Sequence, residues 1–273
     1  TAVTPRSLTA INITRSQPST DSFHGNLRAS AGSYEDLAFD GYLNAPVNDS
    51  FAIKVGVAKH SRTGYYYDST TNENVGQQDY KAFSPSFLWK VTEALQVTYR
   101  FDKTWQSQDT DVQLNLAQPN QVWCSFYLKC AKSVTSPQSG DRFVVPSNEA
   151  PKPANFNTEM HNLHVGWDLA PGYKVDYLFG YFKTKEDAFQ DWDGTELTLY
   201  STLRPADYDQ HSHELRLTST PAGPLSYTVG VYAWNSAYRI DLTSFIGFGD
   251  AAFGLPPGTL LTINQSVQQK TES

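Results

Sequence analysis

The chain has 273 residues, 39% of them hydrophobic and 14% aromatic, and a formal net charge of −7. This length suits one large domain or two small ones. No apolar run reaches the roughly 18 residues of a membrane-spanning helix, and the acidic balance argues against a nucleic-acid partner, whose phosphates need clustered lysines and arginines. Membrane β-strands, which are half polar, are compatible with the composition.

Alternation of apolar and polar residues at a period of two is the dominant pattern along the chain. In Leu95–Asp102 every odd-numbered residue is apolar or aromatic and every even-numbered residue is polar, so the two sets face opposite sides of a strand. The pattern predicts nine strands of about the length that crosses a membrane at a tilt. They are Phe23–Ala31, Leu37–Val47, Phe51–Val57, Phe83–Val91, Leu95–Asp102, Leu163–Leu169, Val175–Lys183, His213–Ser219 and Leu225–Val231.

The connections between these strands alternate between short and long after the first hairpin. The short turns are 48–50, 92–94, 171–173 and 221–224, and the long connections are 61–79, 107–155, 186–208 and 238–270. A membrane barrel has this arrangement, with short periplasmic turns and long extracellular loops, whereas a soluble sandwich usually has shorter loops throughout. Aromatic residues gather near the strand ends, where amphipathic rings favour a membrane–water boundary.

Cys124 and Cys130 are the only cysteines, and five residues separate them. A zinc site would need two further ligands, and no histidine lies nearby in sequence. The pair favours a small disulfide over two free thiols, and a disulfide implies an oxidising compartment.

Few residues suggest catalysis or a resident metal. His211 and His213 share one face of a strand, which suits a wet rim better than a metal site. The acidic stretch with Asp187, Asp191 and Asp193 matches no EF-hand spacing, so a solvated loop is preferred to a calcium site. Neither a Gly-x-Ser-x-Gly elbow nor a glycine-rich phosphate loop occurs. The sequence therefore predicts neither an enzyme nor a cofactor.

Several short patches resemble the TonB-dependent outer-membrane receptors. Ala10–Arg15 is similar to the last plug strand of that family, which leads into the barrel. Gly25–Tyr34 and Phe39–Val47 are similar to its first barrel hairpin. Arg62–Tyr66 resembles its Gly-Tyr-Tyr segment, and Glu214–Ser219 resembles its Glu-Leu-Arg strand. The order and spacing of the patches carry the resemblance.

The resemblance implies an all-β fold, an antiparallel transmembrane β-barrel with about 22 strands in the family. Residues 1–20 would form the end of the plug domain and its link to the barrel. Residues 21–273 would form the N-terminal part of the barrel, with nine strands and the start of a tenth near Gln268–Lys270. We therefore expect a sheet whose first and last strands lack partners within this chain, with residues 1–16 on its inner side.

The function that the resemblance implies is receptor-mediated active import of a scarce nutrient, above all a ferric siderophore, across the outer membrane of a Gram-negative bacterium. The expected partners are this ligand, outer-membrane lipid, and TonB through a plug region absent from this chain. Aromatic residues near the loops are the predicted ligand contacts, because rings supply contact area with few rotors. They are Tyr65, Tyr66, Tyr67, Trp105, Trp123, Phe126, Tyr127 and Trp192.

Two alternatives stay open at this stage. One is another outer-membrane barrel, such as a passive porin, and the other is a secreted β-sandwich that binds glycans. Partitioning into detergent separates the barrels from the sandwich, because only a barrel exposes an apolar outer surface.

The sequence predicts that Cys124 and Cys130 form a disulfide at the tip of the 107–155 connection. Mass spectrometry of alkylated protein, with and without prior reduction, tests the bond. We expect alkylation of both thiols only after reduction, and modification of both in unreduced protein would contradict the prediction. Loss of the bond should disturb the loop more than the sheet, because the closed loop is small.

Overall fold

A computed structural model of the chain describes residues 16–113, 144–146, 153–195, 198–219, 225–249, 253–256 and 258–273. Its strands, in chain order, are β1 His24–Gly32, β2 Asp36–Asn48, β3 Phe51–Arg62, β4 Tyr66–Asp68, β5 Glu73–Val75, β6 Gln78–Lys90, β7 Leu95–Asp109, β8 Val144–Val145, β9 Pro153–Ala170, β10 Tyr173–Asp191, β11 Tyr200–Ser219, β12 Tyr227–Ile246 and β13 Leu261–Glu272. No helix among the described residues is long and apolar enough to cross a membrane.

Ten strands form one antiparallel sheet in the order β1-β2-β3-β6-β7-β9-β10-β11-β12-β13. Each large strand therefore pairs with the next along the chain, and β4, β5 and β8 form a separate small sheet. The register aligns residues of equal parity from β1 to β12, as in the row Asn44, Lys54, Ser86, Arg100, Asn162. Even-numbered side chains of these strands consequently share one face, and odd-numbered side chains share the other.

The even-numbered face carries a docked segment, residues 16–22, at the end of the sheet where the turns are short. Lys54 donates to the Ser16 hydroxyl, Arg100 donates to the Ser16 carbonyl at 3.1 Å, and Lys90 donates to the Thr20 hydroxyl at 2.6 Å. We call this the inner face and the odd-numbered one the outer face. Residues 1–16 are expected on the inner side of the sheet. Ser16 lies on the inner face, and residues 1–15 lie outside the described residues.

The outer face is apolar in the part of the sheet that lies toward the short turns. We call its apolar part the apolar belt, and its large members are each between 38% and 68% exposed. They are Leu27, Leu43, Ile53, Val57, Phe83, Trp89, Trp167, Leu215, Val229 and Val231. A soluble protein seldom exposes so large a contiguous apolar surface.

Within the described residues, no second sheet covers either face. Only eight hydrophobic residues are buried there, and they are mostly small, such as Ala52, Ala154 and Ala188. A sandwich of two packed sheets would bury one apolar face of every strand. The β-sandwich alternative therefore does not describe this fold, and the predicted antiparallel barrel-type sheet does.

Several predicted boundaries are corrected. Strand β10 ends at Asp191 and strand β11 begins at Tyr200, so the connection between them is 192–199 rather than 186–208. The connection after β12 is 247–260 rather than 238–270, and the tenth strand of the large sheet begins at Leu261 rather than near Gln268. Both faces are polar at these strand ends, so alternation does not mark them. The short turns at 49–50, 91–94 and 171–172 are confirmed, whereas 221–224 lies outside the described residues.

The edges of the large sheet lie where the sequence places them. Among the described residues, β1 pairs with β2 alone and β13 pairs with β12 alone.

The sequence of the turn that joins β9 to β10 favours a tight reversal of the chain. Gly172 follows Pro171 and has a φ of 86°, a conformation that side chains with a Cβ rarely adopt.

The two faces predict opposite responses to an added charge. Val97 lies on the outer face of β7 between Leu95 and Tyr99, whereas its neighbour Gln96 is exposed on the inner face. We expect Val97→Arg to lower the free energy of unfolding in lipid by about 1–4 kcal/mol, because an arginine that faces hydrocarbon loses its hydration.

Gln96→Arg is the matched control and should change the free energy of unfolding by less than about 1 kcal/mol. Reversible denaturant unfolding of the two variants in lipid vesicles provides the comparison. Equal stability losses would contradict the assignment of the faces.

Candidate functional site

The first group of predicted ligand contacts lies in the connection between β3 and β6. The Tyr34 and Tyr65 rings meet edge to face at 5.5 Å, and Tyr65 and Tyr66 do so at 5.7 Å. The Arg62 guanidinium lies 4.0 Å from the centre of the Tyr65 ring. The tyrosines therefore form one aromatic cluster, stabilised by edge-to-face and cation–π contacts.

The small sheet ties this connection to the long one that follows β7. Strand β4 pairs with β5 as a hairpin and with β8 in parallel, so Tyr67 lies opposite Val144. The Tyr67 hydroxyl donates to Asn72 at 3.0 Å, and its side chain is 42% exposed. The backbone N–H of Ser69 donates to the Val145 carbonyl at 2.9 Å. Two distant loop segments thus act as one unit at this end of the sheet.

Trp105 lies in a strand and not in a connection, because β7 continues to Asp109. Its odd number and its pairing with Lys81 place it on the outer face, where it is 43% exposed. It is therefore apart from the inner-face cavities, and ligand contact by it stays a prediction. Trp123, Phe126 and Tyr127 lie outside the described residues, as do Cys124 and Cys130.

Trp192 borders a cavity on the inner face at the loop end of β10, β11 and β12. Its indole N–H donates to the Thr202 hydroxyl at 2.8 Å, and the side chain is still 48% exposed. The cavity has a volume of about 350 Å³, within the range of ligand pockets. Its lining is Ala188, Gln190, Trp192, Tyr200, Thr202, Arg204, Ile240 and Leu242.

Charge and small residues shape this cavity, which we call the Trp192 cavity. Arg204 donates to the Glu186 carboxylate, so its guanidinium is held against the inner wall. Ala188 is buried and leaves room that a larger side chain would fill. Gln190 donates to the Asp111 carbonyl at 3.0 Å, which brings the start of the long connection next to the cavity. The result is an aromatic and apolar surface with a few fixed polar groups, as small-molecule sites have.

The acidic stretch forms a structured turn. Asp193 accepts hydrogen bonds from the backbone N–H groups of Thr195, Leu199 and Tyr200, and Asp191 accepts from those of Asp193 and Gly194. Asp187 lies in β10. Within the described residues, no group of three or more acidic, histidine or cysteine side chains is placed to hold a metal ion.

The histidine pair also has an ordinary structural role. The Tyr177 hydroxyl lies 2.8 Å from His213 Nδ1, and the rings of His211 and His213 lie 6.0 Å apart. Both histidines are on the outer face. They extend the aromatic surface at the upper part of the apolar belt.

A second inner-face cavity adjoins the docked segment. It measures about 460 Å³ and is bordered by Gln17, Arg100, Asn162, His164 and Glu214. His164 and Lys174 both contact the Asp176 carboxylate, at 2.7 and 3.0 Å, and Arg216 pairs with Glu214. This polar lining suits contact with polypeptide or water rather than with lipid.

The docked segment is held by a specific set of bonds. Asn44 is fully buried, and its amide exchanges hydrogen bonds with both backbone groups of Ser19 at 2.9 Å. It also donates to the Ser22 carbonyl at 2.9 Å, and Pro18, within the segment, is buried. Lys54 is only 8% exposed and lies 4.0 Å from the Tyr42 ring. The segment therefore belongs to the inner face as a fixed part.

Comparison with known proteins identifies the fold. No protein-family model matches the sequence, and no curated protein does either. Among solved structures, the chain is similar to the siderophore receptor PiuA of Acinetobacter baumannii, with a TM-score of 0.65 and 13% identity over 94% of this chain and 39% of that one. It is also similar to the ferric yersiniabactin uptake receptor of Yersinia pestis, with a TM-score of 0.60 and 9% identity over 95% of this chain and 45% of that one.

A third similar structure is the ferripyoverdine receptor of the outer membrane of Pseudomonas aeruginosa, with a TM-score of 0.58 and 11% identity over 94% of this chain and 35% of that one. The chain has the β-barrel fold of these receptors. The resemblance that the sequence patches indicate is thus confirmed at the level of the fold. The chain spans 35–45% of the lengths of these three structures.

The residues around the Trp192 cavity other than Trp192 itself are not evident in the sequence. Tyr200, Arg204 and Ile240 come from two further strand ends, and only the register brings them together. The docked segment has a clearer signal in the sequence. Asn44 is an asparagine at an inward position of β2, between the apolar outward neighbours Leu43 and Ala45, and a buried amide needs partners.

We expect Asn44→Ala to release the docked segment. The substitution removes three hydrogen bonds and leaves partly buried backbone groups of Ser19 without their side-chain partner, at a cost of about 1–3 kcal/mol. Hydrogen exchange at the Ser19 amide should accelerate while the sheet amides stay protected. Asn26→Ala, at an exposed inner-face position of β1, is the control and should leave exchange unchanged. Unaltered exchange in Asn44→Ala would mean that other contacts hold the segment.

Proposed function

We propose that this chain is part of a TonB-dependent receptor in the outer membrane of a Gram-negative bacterium, which binds a ferric siderophore and imports it actively. In this proposal residues 1–20 are the end of the plug domain and its link. Residues 21–273 are the N-terminal part of the barrel, with the apolar belt in lipid and the long connections outside the cell. The protein transports its ligand without covalent chemistry and needs no cofactor.

The observation that carries the proposal is the docked segment inside a sheet with the fold of siderophore-receptor barrels. Lys54, Lys90 and Arg100 each donate a hydrogen bond to the docked segment, and Lys54 is buried. An empty pore would leave Lys54 in solvent, where it would attract anions passing through. A chain bound across the inner face is what a plugged barrel requires, and a plug is what couples a barrel to an energy source in the inner membrane.

Backbone hydrogen bonding supports the presence of further strands in the working barrel. In lipid, an unpaired backbone group costs several kcal/mol, so an open sheet edge is not stable there. Within the described residues, β1 and β13 each have one unpaired edge. We therefore propose that strands from outside these residues close the barrel.

The Trp192 cavity and the tyrosine cluster are the proposed ligand-facing surfaces. Both lie at the loop end of the sheet, and the cavity opens to the inner face. Ferric siderophores present flat or apolar groups around a charged centre, which aromatic rings and a fixed guanidinium can accommodate. Arg204 provides that guanidinium in the cavity.

Uptake of radiolabelled ferric siderophore by cells tests the proposal. We expect accumulation that stops when a protonophore collapses the proton gradient, while binding at the cell surface persists. Trp192→Ala should weaken surface binding about five- to thirtyfold, as loss of an aromatic anchor does. Trp167→Ala, which removes an outer-face tryptophan at the turn end, should bind as the wild type does. Uptake that is indifferent to the gradient would favour a passive porin instead.

A further inference from the structure

The outer face carries a compact group of lysines immediately above the apolar belt. Lys59, Lys81 and Lys103 lie on the adjacent strands β3, β6 and β7, and their side chains are 39%, 59% and 23% exposed. Lys59 and Lys81 are directly opposite each other in the register. Like charges at opposed positions destabilise a sheet, so an arrangement of this kind calls for a counter-charge.

The carboxylates nearby supply only part of that counter-charge. Asp79 is shared, because it bonds Lys59 and lies 3.7 Å from Lys81. Glu159 is shared as well, with Lys103 at 3.2 Å and His161 at 3.1 Å. Three ammonium groups therefore face two carboxylates, and the group has an excess of positive charge.

Trp105 completes this surface, which we call the lysine patch. It lies opposite Lys81, and the Lys103 ammonium is 5.9 Å from the centre of its ring. Directly below it in the register are Val57 and Phe83, which are 42% and 40% exposed. The patch thus joins cations, an amphipathic ring and apolar side chains in the order in which a membrane passes from headgroup to hydrocarbon.

Two apolar grooves run beside the lysine patch on the outer face of β1, β2 and β3. One, of about 490 Å³, lies over Gly25 and Gly41, where bulky side chains are missing between Leu27 and Leu43. A Cβ at Gly41 would approach the Asn26 carbonyl to 2.7 Å, so the close pairing of the strands excludes a larger residue. The grooves therefore follow from backbone packing.

The second groove, of about 590 Å³, links the apolar surface to the charge. It lies over Ala29 and Ala31, next to Leu37 and Phe39, and Lys59 stands at its rim. An acyl chain fits a shallow apolar channel of this kind, and a phosphate at its end would meet the lysines.

We propose that the lysine patch and the adjoining grooves bind an anionic acyl lipid of the surrounding leaflet, with a phosphate between the lysines and an acyl chain along β1–β3. This rests on the proposed function, which puts the outer face in a membrane. The excess of positive charge selects a phosphate-bearing headgroup, and the grooves select a lipid rather than a free anion. Clusters of basic residues beside a hydrocarbon boundary bind anionic headgroups in this way.

Binding of dioleoyl phosphatidic acid to the protein in mixed micelles with a neutral detergent tests the proposal. Native mass spectrometry of the purified protein counts the bound lipid. We expect selective retention of phosphatidic acid over dioleoyl phosphatidylcholine and no displacement by equimolar inorganic phosphate. The triple variant Lys59→Gln, Lys81→Gln, Lys103→Gln should lose about tenfold or more in affinity, and the corresponding triple arginine variant should keep it.

Lys183→Gln with Lys185→Gln is the matched control, because these outward lysines of β10 have Asp207 and Asp209 opposite them. It should bind within about twofold of the wild type, which is the scatter of a surface substitution. Ala29→Leu fills the second groove with the charges intact and should weaken binding of phosphatidic acid, whereas Ala45→Leu, lower on the outer face, should not. This pair keeps the test valid if the triple glutamine variant misfolds.

Three results would overturn the proposal: equal retention of phosphatidylcholine, displacement by inorganic phosphate, or wild-type binding by both the triple glutamine and the Ala29→Leu variants. Failure of the proposed function looks different. A protein that does not enter detergent micelles, or whose siderophore uptake ignores the proton gradient, contradicts the transporter assignment. A protein that enters micelles and transports but shows no lipid selectivity contradicts only the lipid site.

Discussion

Register is the constraint on which the rest of this structure depends. From β1 to β12 the paired residues have equal parity, except at two irregular strand ends, where Asn48 pairs with Phe51 and Tyr173 pairs with Ala170. A slip of one residue in any pair would turn all side chains of the following strands to the opposite face. Such a slip would bring Lys54 and Arg100 into the apolar belt and Ile53 and Phe101 onto the inner face. The difference in burial between the two faces therefore fixes the alignment of the whole sheet, with the short turns as local anchors.

The same division explains how cations are distributed. On the inner face, Lys54 is buried but has the Ser16 hydroxyl and the Tyr42 ring as partners, so the cost of removing it from water is offset within the protein. On the outer face, the lysines gather only above the apolar belt, where their ammonium groups reach water or headgroups. The docked segment and the lysine patch thus meet one requirement, that each charge has a polar neighbour, by different means.

How far the sequence predicts the fold depends on where a residue lies along its strand. In the belt, one face is apolar and the other polar, so Leu95–Asp102 is recognisable by alternation alone. Beyond the belt both faces are polar, as in the part of β10 that follows Lys183, and pairing continues without a signal. For this reason alternation does not mark the continuation of β7 past Trp105 or the starts of β11 and β13.

The sequence predicts the candidate site less completely, because residues from several strands form it. Trp192 is recognisable as a loop aromatic, but its partners Tyr200, Arg204 and Ile240 are brought to it by the register of β10 with β11 and of β11 with β12. Placing these residues together requires the strand pairing to be known at the level of single residues. The small sheet is similar, since the parallel pairing of Tyr67 with Val144 joins segments that no local pattern connects.

Rigid strand ends give the Trp192 cavity a property that a loop site lacks. Strands β10, β11 and β12 extend past the belt and remain paired almost to their tips, so hydrogen-bonded strands form the cavity wall. Asp193 ties the turn after Trp192 to the start of β11 through backbone N–H groups, which limits the motion of the indole. A preformed wall lowers the ordering cost of binding. The extension of the strands beyond the belt is therefore what makes a ligand site at this position physically reasonable.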